Sequence, residues 1–225
     1  FIYKTRICYV FWIPSTSSVK KKYFFLAFFL LPIYIFFLIP VFRYGLGLPS
    51  FLVIMVIWFS LLGSAVNFPV KEVVSNQPVV FQREVSFFGF KWVFPEITLG
   101  RQKTIIAVNL GGAIVPILVS IYLLAYSIPV SELNPTLTYL KILIVTILVA
   151  IVAKKLSRVI PGLGIALPGF IPPLLTTIAT LIVFRVYVLS NPYIIGYVSG
   201  TMGTLIGADL LNLHKITRLG APMVS

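Results

Sequence analysis

The chain has 225 residues, of which 59% are hydrophobic and 10% are charged. A soluble domain has about 45–50% apolar and about 25% charged residues, so this composition excludes a soluble globular protein and predicts an integral membrane protein. The net charge is +13, but its lysines and arginines are spread over several short connections, so we expect no nucleic-acid binding.

The first 22 residues precede the apolar part of the chain. We interpret 1–22 as an N-terminal leader or a segment outside the true reading frame. The chain begins at Phe1 and its first methionine is Met55, so we expect a fragment of a longer protein. The single cysteine, Cys8, and the single histidine, His214, form no cluster, so we expect no cofactor and no metal site.

Six apolar segments follow, and about 20 apolar residues are needed to cross a bilayer core of about 30 Å. The predicted spans are 23–42, 46–66, 104–126, 137–153, 164–184 and 187–213. The fourth is the weakest, because it is short and contains Lys141. The sequence therefore predicts an all-α fold: one transmembrane domain over 23–225, a polytopic bundle of about six helices.

The placement of the basic residues predicts the orientation. If successive segments alternate in direction, Arg43, Lys141 and Arg185 fall on one side and all other lysines and arginines on the opposite side. The positive-inside rule makes the richer side cytoplasmic. We therefore expect a cell-membrane protein with both ends of this chain in the cytoplasm and with the bilayer, including its anionic lipids, as its partner.

The only long connection, 67–103, is cytoplasmic in this scheme. Val79, Phe81 and Val85 alternate with polar residues, and Phe90 and Trp92 continue the period of two after Gly89. This pattern predicts a short β-hairpin that turns near 86–89.

Glycines and prolines interrupt two of the apolar segments. They include Gly111 and Gly112 in the third segment and Gly164, Pro168 and Gly169 within 161–173. A regular helix does not tolerate the density of 161–173. Two interpretations stay open: a broken helix that forms the wall of a site, or an interfacial segment before a helix that starts at Leu174.

The sixth segment carries four glycines on one face, namely Gly196, Gly200, Gly203 and Gly207. We call this row the glycine seam. Small residues at such spacing let another helix approach closely, which predicts helix packing within the chain or a homo- or hetero-oligomer through the seam.

Asp209 is the candidate functional residue of the same segment. At about 100° per residue it lies about 220° around the helix from Gly196 and faces away from the seam. An ionisable residue inside a membrane segment is costly and is treated as functional by default. Asn212, Asn109 and Asn67 fall at the same predicted depth, so the four residues predict a polar pocket near the cytoplasmic side. The alternative is an interfacial anion and ordinary helix caps.

Four motifs carry a resemblance to a known family. They are GSAVNFPV at 63–70, AVNLGGAIVP at 107–116, GLGIALPG at 162–169 and GTLIGADLLNL at 203–213. Together they resemble the prokaryotic multi-pass membrane protein family catalogued as domain-of-unknown-function family 1614, over about residues 46–225. The resemblance implies an integral membrane protein without an assigned activity. It also implies a longer chain, with a second aspartate in a further glycine-rich segment.

Three functions remain open at this point. The first is a small-solute or ion-coupled permease in which Asp209 binds a proton or cation. The second is an intramembrane aspartyl protease, since Gly207-Ala208-Asp209 is similar to the motif of presenilin-type proteases; its second aspartate would lie beyond this sequence, because such catalysis needs two carboxylates. The third is a non-catalytic membrane scaffold.

Overall fold

The structure is a computed structural model that describes residues 31–33, 35–75, 79–87, 90–98, 102–160, 164–218 and 223–224. The predicted leader 1–22 and the first part of the predicted span 23–42 lie outside the described residues. The described part contains six apolar helices. They are α1 Leu31–Gly45 apart from residue 34, α2 Ser50–Gly63, α3 Leu110–Ser131, α4 Pro135–Leu156, α5 Ile171–Val183 and α6 Pro192–His214.

Three of these helices are long and apolar enough to cross a membrane. Helices α3 and α4 have 22 residues each and α6 has 23, with mean hydropathies of 2.1, 2.3 and 1.3. This makes the chain a membrane protein of mostly helical fold. Helices α1, α2 and α5 are shorter, so the number of six spans stays a prediction.

Two of the long helices begin with an Asn-Pro pair. The Asn134 side chain accepts a hydrogen bond from the Leu137 N–H at 3.2 Å, and the Asn191 side chain accepts one from the Tyr193 N–H at 2.9 Å. The prolines that follow occupy the first helical turn, where a missing N–H costs nothing. Helix α4 therefore starts two residues before the predicted 137, and α6 starts at Pro192 rather than at 187.

The connection 67–103 is more regular than predicted. It forms four strands together with the residues just after it: β1 Asn67–Ser75, β2 Val79–Phe87, β3 Phe90–Thr98 and β4 Gln102–Asn109. Strands β2 and β3 pair antiparallel from Phe87↔Phe90 outward, so the predicted hairpin is present; residues 88–89 of its turn lie outside the described residues. Strands β1 and β4 also pair antiparallel, from Asn67↔Asn109.

The outer strand pair corrects two sequence predictions. Residues 104–109, predicted as the start of the third span, belong to β4, and α3 begins only at Leu110. Asn67, predicted as the end of the second span over 46–66, is the first residue of β1, because α2 ends at Gly63. We call the paired strands β1 and β4 the ribbon; a short strand β7, Met223–Val224, lies parallel to β4 at its edge.

The segment before α5 is broken, and the helix starts later than the predicted span at 164 and earlier than the alternative start at Leu174. Strand β5, Arg158–Ile160, pairs with β6, Gly164–Ala166; residues 161–163 lie outside the described residues. Pro168 and Gly169 then lead into α5 at Ile171, so the expected start at Leu174 is wrong by one turn. Pro172 and Pro173 stand in the first turn, where proline is tolerated.

The helices run up and down, so the described polar residues collect at two ends. Gly63 meets Gly111 where the ribbon begins, and Gly207 meets Ala150 near the end of α4. This is the ribbon end. At the opposite end, the Lys141 ammonium donates to the Phe184 carbonyl. The core between the two ends consists of packed apolar side chains from all six helices, with Leu123, Val149 and Ile195 fully buried.

Candidate functional site

The ribbon end is held by a pair of asparagines. The Asn109 Nδ2 atom donates to the Asn67 Oδ1 atom at 2.9 Å and to the Ser64 carbonyl at 2.8 Å. The Asn109 Oδ1 atom accepts from the Gly112 N–H at 2.6 Å and caps α3. One side chain thus ties the end of α2, the first residue of β1 and the start of α3 together.

Gly111 lies in the same junction, against the last turn of α2. A Cβ atom at Gly111 would collide with the Ser60 carbonyl and lie 2.5 Å from the Ser64 nitrogen. Backbone atoms cannot move aside easily, so this position requires glycine. Gly112 is looser, since a Cβ there would lie 3.1 Å from the Asn109 Oδ1 atom.

Asp209 and Asn212 occupy the same end but differ in environment. Asp209 is exposed and makes no hydrogen bond or ion pair within the described part of the chain. Asn212 is fully buried and donates to the carbonyls of Gly207, at 3.1 Å, and Ala208, at 2.9 Å. Its Oδ1 atom has no partner among the described residues.

The three asparagines and Asp209 are therefore only partly in contact with one another. Asn67 and Asn109 bind each other, and strand β1 contacts the 3₁₀ segment Leu210–Arg218 that contains Asn212. No hydrogen bond joins Asp209 to any of the three asparagines in the described part of the chain. The four side chains share one end of the bundle without forming one hydrogen-bonded cluster, and a polar pocket made of all four stays a prediction.

The glycine seam packs against two helices of the same chain. A Cβ atom at Gly203 would lie 2.7 Å from the Val149 Cβ atom, and one at Gly207 would collide with the Ala150 carbonyl. Towards the opposite end, Gly200 faces Thr176 of α5 at 3.2 Å. The seam is thus in contact with α4 and α5, and an oligomer through it stays a prediction.

A cleft of about 720 Å³ opens between α5 and α6, beside the end of α1. We call it the threonine cleft, because five threonines line it: Thr176, Thr177, Thr180, Thr201 and Thr204. Gly196 and Gly200 of the seam and the aromatic side chains of Tyr193 and Tyr197 also line it. Asp209 and the three asparagines do not.

The hydroxyl groups of the threonine cleft fall into two sets. Thr176 and Thr177 donate to the carbonyls four residues earlier, those of Pro172 and Pro173, at 2.7 and 2.8 Å. The Thr180 Oγ1 atom is buried without a partner. Thr201 and Thr204 make no hydrogen bond within the described part of the chain, so their hydroxyls are free for a ligand in the cleft.

The opposite end contains a polar network that the sequence did not reveal. The Lys141 ammonium is buried and donates to the Val188 carbonyl at 2.5 Å, to the Phe184 carbonyl at 3.1 Å and to the Ser190 Oγ atom at 2.9 Å. All three donors of the ammonium are used, and a cation near the carbonyl end of α5 is favourable. This arrangement is structural and leaves no proton free for a ligand.

The network extends to Glu132. Its carboxylate accepts from the Thr138 hydroxyl at 3.1 Å and from the Asn191 N–H at 2.9 Å, and the Ser190 Oγ atom lies 3.0 Å from the Thr138 Oγ1 atom. The loop between α5 and α6 folds tightly around the ammonium, with Tyr187 at φ 62°. The only sequence signal was the charge of Lys141, because its acceptors lie more than 40 residues further on.

These sites offer hydroxyl, amide and carboxylate groups that can bind polar ligands. No group of three or more His, Cys, Asp or Glu side chains that could hold a metal ion occurs among the described residues. Asp209 is the single acid of the three long helices, since the other four acids are Glu72, Glu84, Glu96 and Glu132. The candidate site is therefore the threonine cleft, with Asp209 beyond its end on α6.

Comparison with known protein families identifies the family of this chain. The model of a family described as a protein of unknown function (DUF1614) matches residues 61–225. This covers α3 to α6 and the whole ribbon. No curated protein and no solved structure matches the chain.

Proposed function

The chain belongs to the DUF1614 family, and we propose that it works as a permease that moves a small polar solute or a cation through the threonine cleft. Asp209 stands at the cytoplasmic end of this path. Family membership and membrane character by themselves assign no activity. The proposed permease function goes beyond them.

The observation that supports this proposal is a cleft with the volume of a small-molecule site, lined in part by threonine hydroxyls without a partner among the described residues. Small-molecule sites occupy about 300–1,000 Å³, and the threonine cleft has about 720 Å³. Each hydroxyl can donate one hydrogen bond and accept two. Because Thr201 and Thr204 make no bond within the described part of the chain, they offer both to a passing solute.

The backbone around the cleft supports the same function. Helix α5 has 13 residues and is about 20 Å long, too short for a bilayer core of about 30 Å. Its two ends continue as irregular chain. Discontinuous helices line the sites of many transporters, because freed backbone groups are tolerated at membrane depth where they face protein or a wet cavity.

Asp209 is linked to the cleft through the geometry of α6. Residues Leu205–Asp209 form a π-helical turn that follows directly on Thr204. Hydrogen bonds from i to i+5 in such a turn place residues five apart on the same side of the helix, so Asp209 lies on the side of Thr204. An exposed carboxylate there attracts a proton or a hard cation.

Flux into proteoliposomes tests the proposal. The full chain is reconstituted, and two probes are used: proton movement, followed by a trapped pH-sensitive dye under imposed Na⁺ or K⁺ gradients, and glycerol uptake, followed by vesicle swelling. We expect flux of at least one probe above that of empty vesicles. The variants Thr201→Val and Thr204→Val should lower it about tenfold, whereas Thr136→Val, at an exposed position on α4, should not.

The outcomes separate the permease from a scaffold. Parent protein that is folded but passes neither probe would favour the scaffold, as would flux that Thr201→Val and Thr204→Val leave unchanged. Asp209→Asn should lower cation-dependent flux and leave glycerol uptake intact. This chain alone should not cleave peptides, because its long helices hold one carboxylate and aspartyl catalysis needs two.

A further inference from the structure

A second cleft, of about 660 Å³, lies at the ribbon end between α4 and the 3₁₀ segment Leu210–Arg218. We call it the lysine cleft. Its walls are formed by the last turns of α4, with Ile147, Ala150, Ile151, Lys154 and Lys155, by Ser157 and by Leu211. It shares no residue with the threonine cleft.

The lysine cleft changes character along its length. Ile147 and Ile151 are about half-exposed and Leu211 is 40% exposed, so its inner part is apolar and open. One turn further, where α4 ends, Lys154 and Lys155 are exposed. An apolar slot about one or two turns long thus ends at two ammonium groups.

The two lysines have no anionic partner in the described part of the chain. The Ser157 hydroxyl, also in the cleft, donates to the Ala153 carbonyl at 2.6 Å. The carbonyl end of α4 contributes about half a negative charge. Two ammonium groups outweigh it, so the mouth of the cleft is net positive.

We propose that the lysine cleft binds one anionic phospholipid, with its phosphate at Lys154 and Lys155 and an acyl chain along Ile147, Ile151 and Leu211. The positive end of the cleft matches the lipid phosphate in charge, and its apolar wall matches the acyl chain that follows the phosphate. Basic pockets between helices at the membrane surface hold lipid head groups in this way, and each basic residue adds to the attraction. A soluble phosphate compound would use the lysines and leave the apolar wall exposed.

Lipid-dependent thermal unfolding of the purified full chain in neutral detergent tests the proposal. We expect phosphatidylglycerol to raise the midpoint and phosphatidylcholine at the same concentration to leave it unchanged. The double variant Lys154→Gln/Lys155→Gln should weaken the apparent affinity for phosphatidylglycerol about tenfold or more. The charge-matched control Lys71→Gln/Arg185→Gln, at exposed positions outside the cleft, should keep it.

Two further arms distinguish a lipid from its head group. Inorganic phosphate and glycerol 3-phosphate at millimolar concentration should not reproduce the shift; an equal shift would overturn the lipid assignment. Ile151→Ala and Leu211→Ala should weaken binding of long-chain phosphatidylglycerol more than that of a dihexanoyl form. If the lysine variant and its charge-matched control lost equal affinity for phosphatidylglycerol, the binding would depend only on the net charge of the protein. This result would also overturn the proposal.

Discussion

The Nζ atom of Lys141 lies 2.9 Å from the Oγ atom of Ser190, 49 residues further along the chain. This contact joins the first turns of α4 to the loop before α6, and both residues are buried, with 4% of each exposed. A charged group is stable here because protein oxygens replace water around it.

Replacing Lys141 by methionine should therefore destabilise the fold. The Lys141→Met variant keeps most of the side-chain volume but leaves the Val188 carbonyl without its donor. We expect a loss of about 1–3 kcal/mol in the free energy of unfolding, the usual cost of an unpaired buried polar group. Lys71→Met, an exposed position on β1, is the control and should change it by less than about 0.5 kcal/mol. Unfolding in bicelles measures both, and equal stability of the two variants would contradict the role of Lys141.

The glycine seam predicts a graded series of alanine variants. Gly207→Ala drives a methyl group into the Ala150 backbone, whereas Gly196→Ala meets only the Thr180 side chain, at 3.6 Å. We expect Gly207→Ala to cost about 1–3 kcal/mol, typical of overpacking, and Gly196→Ala to cost clearly less. Gly169→Ala, with no neighbour within 4 Å, is the neutral control. A reversed order of the melting midpoints of these variants in detergent would contradict the packing.

Aspartate substitutions at the two asparagines of the ribbon end should differ in their effect on stability. Asn109→Asp keeps the acceptor for the Gly112 N–H but removes the donor to Asn67 and to the Ser64 carbonyl. Asn67→Asp keeps the acceptor that Asn109 uses. We therefore expect Asn109→Asp to lower stability by about 1–3 kcal/mol and Asn67→Asp to lower it less. Thermal unfolding of both variants in one detergent measures the difference, and equal losses would show that the hydrogen bond between them has no preferred direction.

The orientation of the chain can be tested by thiol labelling. In a Cys8→Ser background, single cysteines replace Lys71, Lys154 and Arg185, all at exposed positions. The first two lie at the ribbon end and the third at the opposite end. We expect a membrane-impermeant reagent to label Lys71→Cys and Lys154→Cys in inside-out vesicles and Arg185→Cys in right-side-out vesicles. Labelling of Lys71→Cys and Arg185→Cys in the same preparation would overturn the predicted arrangement of the basic residues.

The order of the helices was predictable from hydropathy, whereas their ends were not. Residues 104–109 are apolar and adjoin a helix, and periodicity alone does not separate a short apolar strand from a helical turn. Their partner strand, Asn67–Ser75, lies some 30 residues earlier, so nothing local marks the boundary. Residues 164–166, predicted as the start of the fifth span, pair instead with Arg158–Ile160 just before them.

The sequence predicted some residues of the candidate site, but it did not predict where the cleft lies. Hydropathy marked Asp209 as unusual, and the structure places it at the end of the bundle that carries Asn67 and Asn109. The π turn before Asp209 was not predictable, because it needs more residues per turn than the 100° rule assumes. The threonine cleft was missed as well, since Thr176 and Thr201 belong to different helices and each alone is an ordinary residue.

The connections between the ribbon and the neighbouring helices are very short. Three residues separate α2 from β1, and none separates β4 from α3. A displacement of the ribbon strands is therefore transmitted directly to the crossing of α2 and α3 at Gly111. Since a methyl group at Gly111 would collide with the α2 backbone, α2 and α3 are already as close as their main chains allow at this point.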